Sequence, residues 1–591
     1  MGTPDAARRR WISRRSFLRY SAATGIAAAA APALTGQATS TAAIRNGVPV
    51  PKFDWAEATI AELQTAMRRG DTTSRQLTQA YITRIGEVDF TGARLNSVLE
   101  INPDALTIAD ELDAERRAGH VRGPLHGIPI LLKDNIATDD RMETTAGSLA
   151  LLGSRPPRDA FVARQVRKAG AVVLGKANLA EWANFRSFQS SSGWTGRAGQ
   201  CLNPYVLDRN PSGSSSGSAA AVAANLAAAA VGSETDGSIT APASACSVVG
   251  LKPTLGLISR SGIIPIAHSQ DTSGPIARTV ADAATLLSAM TGVDRRDPAT
   301  AASNGHIHRD YRRFLDPKGL QGARIGVWRD GIFGASPETD EIMERAIDQI
   351  KALGAEVVDP ANFPHVERLF GPEFTVLFYE FKADIRAYLS ELRNTDIRSL
   401  RDLIAFNDRH AGVEMPWFGQ EIFELSQSFG PLTDDAYRRA LRRSKRLSQD
   451  GIDSVMDSHG LDAIVCSVSG PPWTTDLVDG DHFAAISGTT PAAVAGYPHI
   501  NVPAGYSHYQ LPVGISFFGR AWSEPKLIKL AYAYEQGADV RHPPRFLRSL
   551  GVEDFVPRAS RPVARSSGVA AVPSVRTAEG SRVGLRPMPR L

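Results

Sequence analysis

Two serine-bearing turns and one lysine are the places in this chain where residue type and spacing could do chemistry. The first turn reads Pro211-Ser212-Gly213-Ser214-Ser215-Ser216-Gly217-Ser218 and runs straight into the alanine-rich segment 219–230. The second reads Val231-Gly232-Ser233-Glu234-Thr235-Asp236-Gly237-Ser238-Ile239, and the lysine, Lys133, ends the apolar run Ile128-Pro129-Ile130-Leu131-Leu132. A Gly/Ser stretch alone is usually a flexible linker. One that leads into a helix of small, closely packing side chains reads instead as a fixed turn. Such a turn could cradle a phosphate with its backbone N–H groups. However, no lysine follows its last glycine, and the Gly175-Lys176 pair lacks the glycine-rich loop of a nucleotide site. The other reading is a serine presented for acyl chemistry. A Ser-His-Asp triad is the commoner design there, but the Gly/Ser turn lacks the strand-to-helix context of a nucleophile elbow, and His126 and His268 read as structural. Taken singly, Lys133 reads as a surface lysine at a strand end, and Ser214 and Ser238 as ordinary turn residues. Asp134 reads as a local hydrogen-bonding group, with a role beside Lys133 as the alternative.

The elements that must position these residues alternate between helix and buried strand, which predicts an α/β fold with a mixed sheet core flanked by helices on both faces. The spacing predicts helices over 60–70 and 73–88, the second capped by Thr72-Thr73-Ser74, then a strand over 95–101 and a helix over 104–119. Helix-then-strand pairs follow at 162–170 with 171–175, 337–354 with 355–359, and 437–459 with 461–466. Residues 368–443 carry more charge and aromatic side chains and read as a helical insertion over one face of the sheet. No internal repeat is visible.

With 591 residues, 43% hydrophobic and 22% charged, the chain can bury a large core. The net charge is +4, but residues 1–38 carry +5 and residues 556–591 carry +6, which leaves about −7 on the body. An acidic body without interleaved basic and aromatic residues excludes general nucleic-acid binding. Cys201, Cys246 and Cys466 are far apart and odd in number, so they read as buried small apolar groups; no metal site is supported. The N-terminus sets Arg8-Arg9-Arg10 and Arg14-Arg15-Ser16-Phe17-Leu18 before an alanine-rich stretch ending near Ala33. This resembles a twin-arginine export signal over 1–40, predicts cleavage near 33–42 and a periplasmic or extracellular protein, and is too short to anchor in a bilayer. Residues 556–591, rich in Pro, Ser, Gly, Val and Arg without hydrophobic period, read as a disordered basic tail.

Lys133, the Gly/Ser loop, the turn 231–239 and Gly250-Leu251-Lys252-Pro253-Thr254 together resemble the amidase signature family over residues 54–545, as a single large domain. Within it, Glu234-Thr235-Asp236-Gly237-Ser238, Gly262-Ile263-Ile264-Pro265 and Ser269-Gln270-Asp271-Thr272 are most similar to bacterial peptide amidases. The resemblance implies Ser238 as acyl-forming nucleophile, Ser214 as a bridging serine on a cis peptide, Lys133 as base, and an oxyanion hole from the backbone N–H groups of Thr235, Asp236, Gly237 and Ser238. The physical logic is coherent: a serine hydroxyl attacks only when a neighbour takes its proton, and lysine can take it only where burial disfavours its charge. The implied reaction is hydrolysis of a small-molecule or peptide amide, most specifically a peptide C-terminal amide, without metal or cofactor. Other small, aryl or fatty amides are the alternative substrates, and the alternative role is that of an amidotransferase-A-like component of an assembly that modifies charged transfer RNA. Asp236 and Thr240 depart from the commoner family residues Gly and Arg, and Ser212 and Ser216 replace loop glycines.

Overall fold

In the computed structural model, which describes residues 46–483, 487–508 and 510–550, the apolar run before Lys133 becomes strand β2, Pro129–Lys133, with all five residues buried. The export signal expected over 1–40 and the tail expected over 556–591 lie outside the described residues. Among those residues, eleven strands form one sheet. The others are β1 Val98–Ile101, β3 Val172–Ala177, β4 Ala229–Glu234, β5 Val249–Lys252, β6 Thr272–Ala277, β7 Arg324–Val327, β8 Glu356–Val358, β9 Ala463–Ser467, β10 His499–Ser507 and β11 Leu511–Phe518. Their order is β1-β3-β2-β4-β6-β5-β10-β11-β9-β7-β8. β2 runs parallel to β3 and β4, and β7 runs parallel to β8 and β9, whereas the other neighbours are antiparallel. The expected mixed α/β architecture is therefore present. Because β2, β3 and β4 are buried at every position, both of their faces must be covered, as parallel strands require.

Local chemistry sets the element ends. Helices Ile60–Arg69 and Ser74–Arg84 both open on capping boxes, Thr59 with Glu62 and Thr73 with Gln76. The second helix stops short of the expected 88 and continues as a wider π turn over Ile85–Thr91. There Thr91 Oγ1 donates to the Gly86 carbonyl at 2.8 Å, and buried Asp89 accepts from Ser97 N at 2.8 Å, drawing the chain toward the sheet. The following strand begins at Val98 and not at 95, because Arg94 and Asn96 adopt left-handed backbone and break the extended run.

Helix Ser216–Ala223 leaves the Gly/Ser turn with all eight residues buried, so its alanines are small for a packing reason. At Gly217 an added Cβ would lie 2.3 Å from the Ser97 carbonyl oxygen and 2.6 Å from Asn178 N. Residues 370–428 contribute four helices, Phe370–Glu391, Leu400–Arg409, Ala411–Glu414 and Glu421–Ser428, before the long helix Asp435–His459. Leu377, Phe378 and Phe381 of the first pack with Trp182, Phe185 and Ile266, forming a hydrophobic cluster separate from the main core. Glu380 anchors the same helix by accepting from Ser269 N and Tyr437 Oη, each at 2.8 Å.

Gly217→Ala should destabilise the protein by about 2–3 kcal/mol, since backbone atoms, not flexible side chains, occupy the space its methyl needs. Denaturant unfolding checks this; a midpoint unchanged from the parent would show that the helix start can shift.

Candidate active site

Lys133 lies fully buried at the C-terminal end of β2, and the parallel pairing of Leu132 with Val231 carries the end of β4 alongside it. Its Nζ is 2.7 Å from Ser214 Oγ and also donates to the carbonyl and hydroxyl oxygens of Ser233, at 3.1 and 3.0 Å. Burial holds its pKa down to about 7, opposed by the nearby carboxylates of Glu234 and Asp271. Burial alone is not distinctive. Lys176 and Lys252 are equally buried, but Lys176 donates to the Ile136 carbonyl and Thr144, and Lys252 to the Pro253 carbonyl. Among these three, Lys133 is the lysine in contact with a serine of the Gly/Ser turn.

The turn itself is tightly held. The Gly213–Ser214 peptide is cis, and the Ser214 carbonyl accepts from Ala180 N at 3.0 Å. A Cβ at Gly213 would approach Ser192 Oγ to 2.9 Å, so a larger residue there requires Ser192 to move. Ser215, central in the Gly213 to Gly217 segment, is structural: its hydroxyl donates to the Ser233 carbonyl at 3.1 Å, while its N–H donates to the Ser238 carbonyl at 3.0 Å. The two serine turns are thus stitched together, and Gly213 and Ser238 line the same cleft.

Glu234 shapes the second turn. Its buried carboxylate accepts from Ile239 N at 2.7 Å and Thr240 N at 3.0 Å, so the chain closes around it through Asp236, Gly237 and Ser238. Burial raises the Glu234 pKa, opposed by the positive charge of Lys252 and by those two N–H groups. Gly237 takes φ 75°, a conformation glycine accepts most readily. Among the described residues, the backbone N–H groups of Asp236, Gly237 and Ser238 donate to no intramolecular acceptor. Donors of this kind are what an oxyanion requires. Thr235 is fixed by its hydroxyl, which donates to Asp271 at 2.6 Å.

Asp236 accepts from Thr489 Oγ1 at 2.5 Å and Thr490 Oγ1 at 2.6 Å. Desolvation raises its pKa, against the pull of those two hydroxyls, and raises that of the neighbouring Glu373 well above the usual range. Asp134 is structural, accepting from Thr145 Oγ1 at 2.5 Å and facing Arg197 at 3.3 Å. His126 is buried with Nε2 2.9 Å from the Leu112 carbonyl. His268 sits beside Asp384 at 2.8 Å and, with Glu380, brings three potential ligand atoms within 4.8 Å of one another. Both acids are already engaged there, Glu380 by Ser269 and Tyr437 and Asp384 by His268. Cys201, Cys246 and Cys466 are free and buried.

Sequence reasoning missed Ser233, Asn135 and Glu234 as site residues. Asn135 Nδ2 donates to Ser233 Oγ at 2.8 Å, completing a polar shell around the lysine. Their signal was position: Asn135 stands two residues past Lys133, and Ser233-Glu234 directly precede the turn.

The cleft has a volume of about 570 Å³, with Ser238, Asp236, Glu373, Phe188 and Phe374 among its walls. The fold and the sequence agree with known proteins. The Amidase family description matches residues 76–528. The chain belongs to the amidase signature family. This amidase is 50% identical to the native peptide amidase from Stenotrophomonas maltophilia, with a TM-score of 0.79 covering 84% of this chain and 100% of that one. It is 51% identical to a peptide amidase in complex with the competitive inhibitor chymostatin, at a TM-score of 0.81 over 83% of this chain and 100% of the other. A probable amidase of Arabidopsis thaliana is 43% identical, over 84% of this chain and 93% of its own length. The A component of the glutamyl-tRNA(Gln) amidotransferase of Halorhodospira halophila is 35% identical, over 82% and 98%. The protein is an amidase, a serine hydrolase of amides.

Because Glu234 satisfies two turn N–H groups at once, the amidase variant Glu234→Ala should lose about 3 kcal/mol of stability and most of its activity. Thermal unfolding with a parallel rate measurement checks both, and retention of full activity would contradict the role given to that carboxylate.

Proposed function

We propose that this amidase removes the C-terminal amide of peptides through an acyl-enzyme on Ser238, with Ser214 relaying the proton and Lys133 acting as base. The observation that carries the mechanism is the 2.7 Å contact between Ser214 Oγ and a fully buried lysine whose pKa is held down to about 7. Neutral Lys133 accepts the Ser214 proton while Ser214 accepts that of Ser238, and Ser238 Oγ bonds to the amide carbon. The resulting oxyanion is met by the N–H groups of the turn Thr235 to Ser238. Collapse breaks the C–N bond, the proton returns through Ser214 to the leaving nitrogen, and ammonia departs. Water repeats the sequence on the ester, releasing the acid and restoring Ser238.

The substrate reading is supported by the 50 and 51% identity to peptide amidases and by the charge of the cleft. Among the described residues lining it, Asp236, Glu373 and Asp481 are acidic and none is Lys, Arg or His. Such a cleft offers a free carboxylate no cation to pair with, whereas a neutral carboxamide needs none, which favours amide over acid at the reacting end. An amidotransferase role has support from relatives 35% identical, but an acidic body suits a polyanionic RNA poorly. The paired arginines near the N-terminus fit an exported enzyme that meets peptides outside the cytoplasm.

Ser238→Ala and Lys133→Ala should each lower kcat/KM by about 10³-fold or more, and the double variant should be scarcely worse than either, because the residues act as one unit. Additive losses would contradict the relay. Protonation disables the base, so activity should fall about tenfold per unit as the pH drops below about 7, and level off above it. A profile flat through this range would exclude Lys133 as the titrating base, and a metal chelator should change nothing.

Ammonia should be released from N-blocked dipeptide amides, with internal peptide bonds left intact. Asp236→Asn should bind the product acid about tenfold more tightly, as expected when one repulsion is removed. Product inhibition measures this; faster turnover of fatty amides or aryl anilides than of any peptide amide would overturn the substrate reading.

A further inference from the structure

One wall of the cleft is aromatic, and its rings are held open to solvent. Phe188 is 57% exposed, Phe370 42% and Phe374 37%. Single exposed apolar residues need no explanation, whereas a contiguous set beside a reactive centre does. These three line the same cavity as Ser238. Phe188 and Phe374 have ring centroids 6.2 Å apart, and both approach Phe378, at 6.5 and 5.8 Å. Phe378 is buried, so the outer rings rest on a fixed base. Phe188 is also tethered through its backbone, because Glu421 accepts from Phe188 N at 2.9 Å and from Ser187 Oγ at 2.5 Å. The wall is thus backed by buried Phe378 and open on one side, in a lining that also holds Asp236, Glu373 and Asp481.

We propose that Phe188 and Phe374 form an acyl-side specificity subsite that receives an aromatic or large apolar side chain of the peptide amide, while a lining with no cation among its described residues gives acidic side chains no partner. This rests on the peptide-amide reading above and adds the side-chain class. A ring laid against Phe188 and Phe374 covers apolar surface already exposed and adds edge or offset contact. A glutamate side chain in the same cleft meets no cation among the described residues and must leave water unpaired.

The test compares kcat/KM for N-acetyl dipeptide amides that carry Phe, Ala, Lys or Glu in turn at each of the two residues. At the residue reaching the wall, Phe should exceed Ala by about tenfold, Glu should be the slowest, and Lys should not fall below Ala. Phe188→Ala and Phe374→Ala should reduce the Phe-to-Ala ratio to about two, and Phe374→Leu should restore part of it. Peptide amides hydrolysed without regard to side chain, or an unchanged ratio in both alanine variants, would overturn this subsite and leave the peptide-amide reading standing. Peptide amides inert beside rapidly hydrolysed fatty amides would overturn both.

Discussion

A lysine with no access to water governs this structure. Moving an ammonium from water into a protein interior costs several kcal/mol unless it is well paired, and Lys133 at the end of β2 has hydroxyl and carbonyl oxygens around it in place of a direct carboxylate partner. The balance between burial and the more distant Glu234 and Asp271 sets its pKa near neutrality. Two requirements follow for the surrounding chain. The register of β2 against β4 must deliver Ser233 to Nζ, and the Gly/Ser turn must pass close enough for Ser214 to make its contact. β4 meets the first by pairing Ala229, Ala230 and Val231 with β2 and then running on past it. The alanine-rich helix meets the second by packing without bulk, so that the preceding turn lies on the strand ends.

The same low-polarity interior explains why the acidic groups are sorted. Glu234 faces inward, near Lys252 and the N–H groups of Ile239 and Thr240, and acts as the post around which the serine turn is wound. Asp236, two residues on, emerges on the cleft side against Thr489 and Thr490, with Glu373 contributed by the helix Phe370–Glu391. Adjacent stretches of backbone therefore carry one carboxylate that builds the turn and one that faces the substrate space.

The helical segment over residues 370–428 joins packing to the cleft. Its inner residues, Leu377, Phe378 and Phe381, bury against Trp182, Phe185 and Ile266. Phe374 and Glu373 line the cleft, and Leu377, Phe185 and Ile266 reach its lining from the cluster, so the packing that holds the helix also forms the floor of the cavity.

Much of this was legible in the sequence. The run 128–132 announced a buried strand, the alanines after 218 announced a helix packed without clearance, and the joint occurrence of Lys133, Ser214 and Ser238 pointed to an amidase. Where local patterns failed, the cause was a local interaction: left-handed backbone at Arg94 and Asn96 delayed β1, and Asp89 and Thr91 widened the end of the preceding helix. Strand identity, helix caps and the family motifs depend on neighbours within a few residues, so the chain declares them directly. The partners of Lys133 depend on which strands lie side by side. Asn135 and Ser233 are 98 positions apart yet hydrogen-bonded, and Thr489 and Thr490 reach Asp236 from 253 and 254 positions away. Phe374 meets Phe188 only because the helical segment folds back over the cleft. Tertiary structure alone decided the polar shell of Lys133, the setting of Asp236 and the aromatic wall, because strand order and helix packing bring together residues whose spacing along the chain carries no trace of the contact.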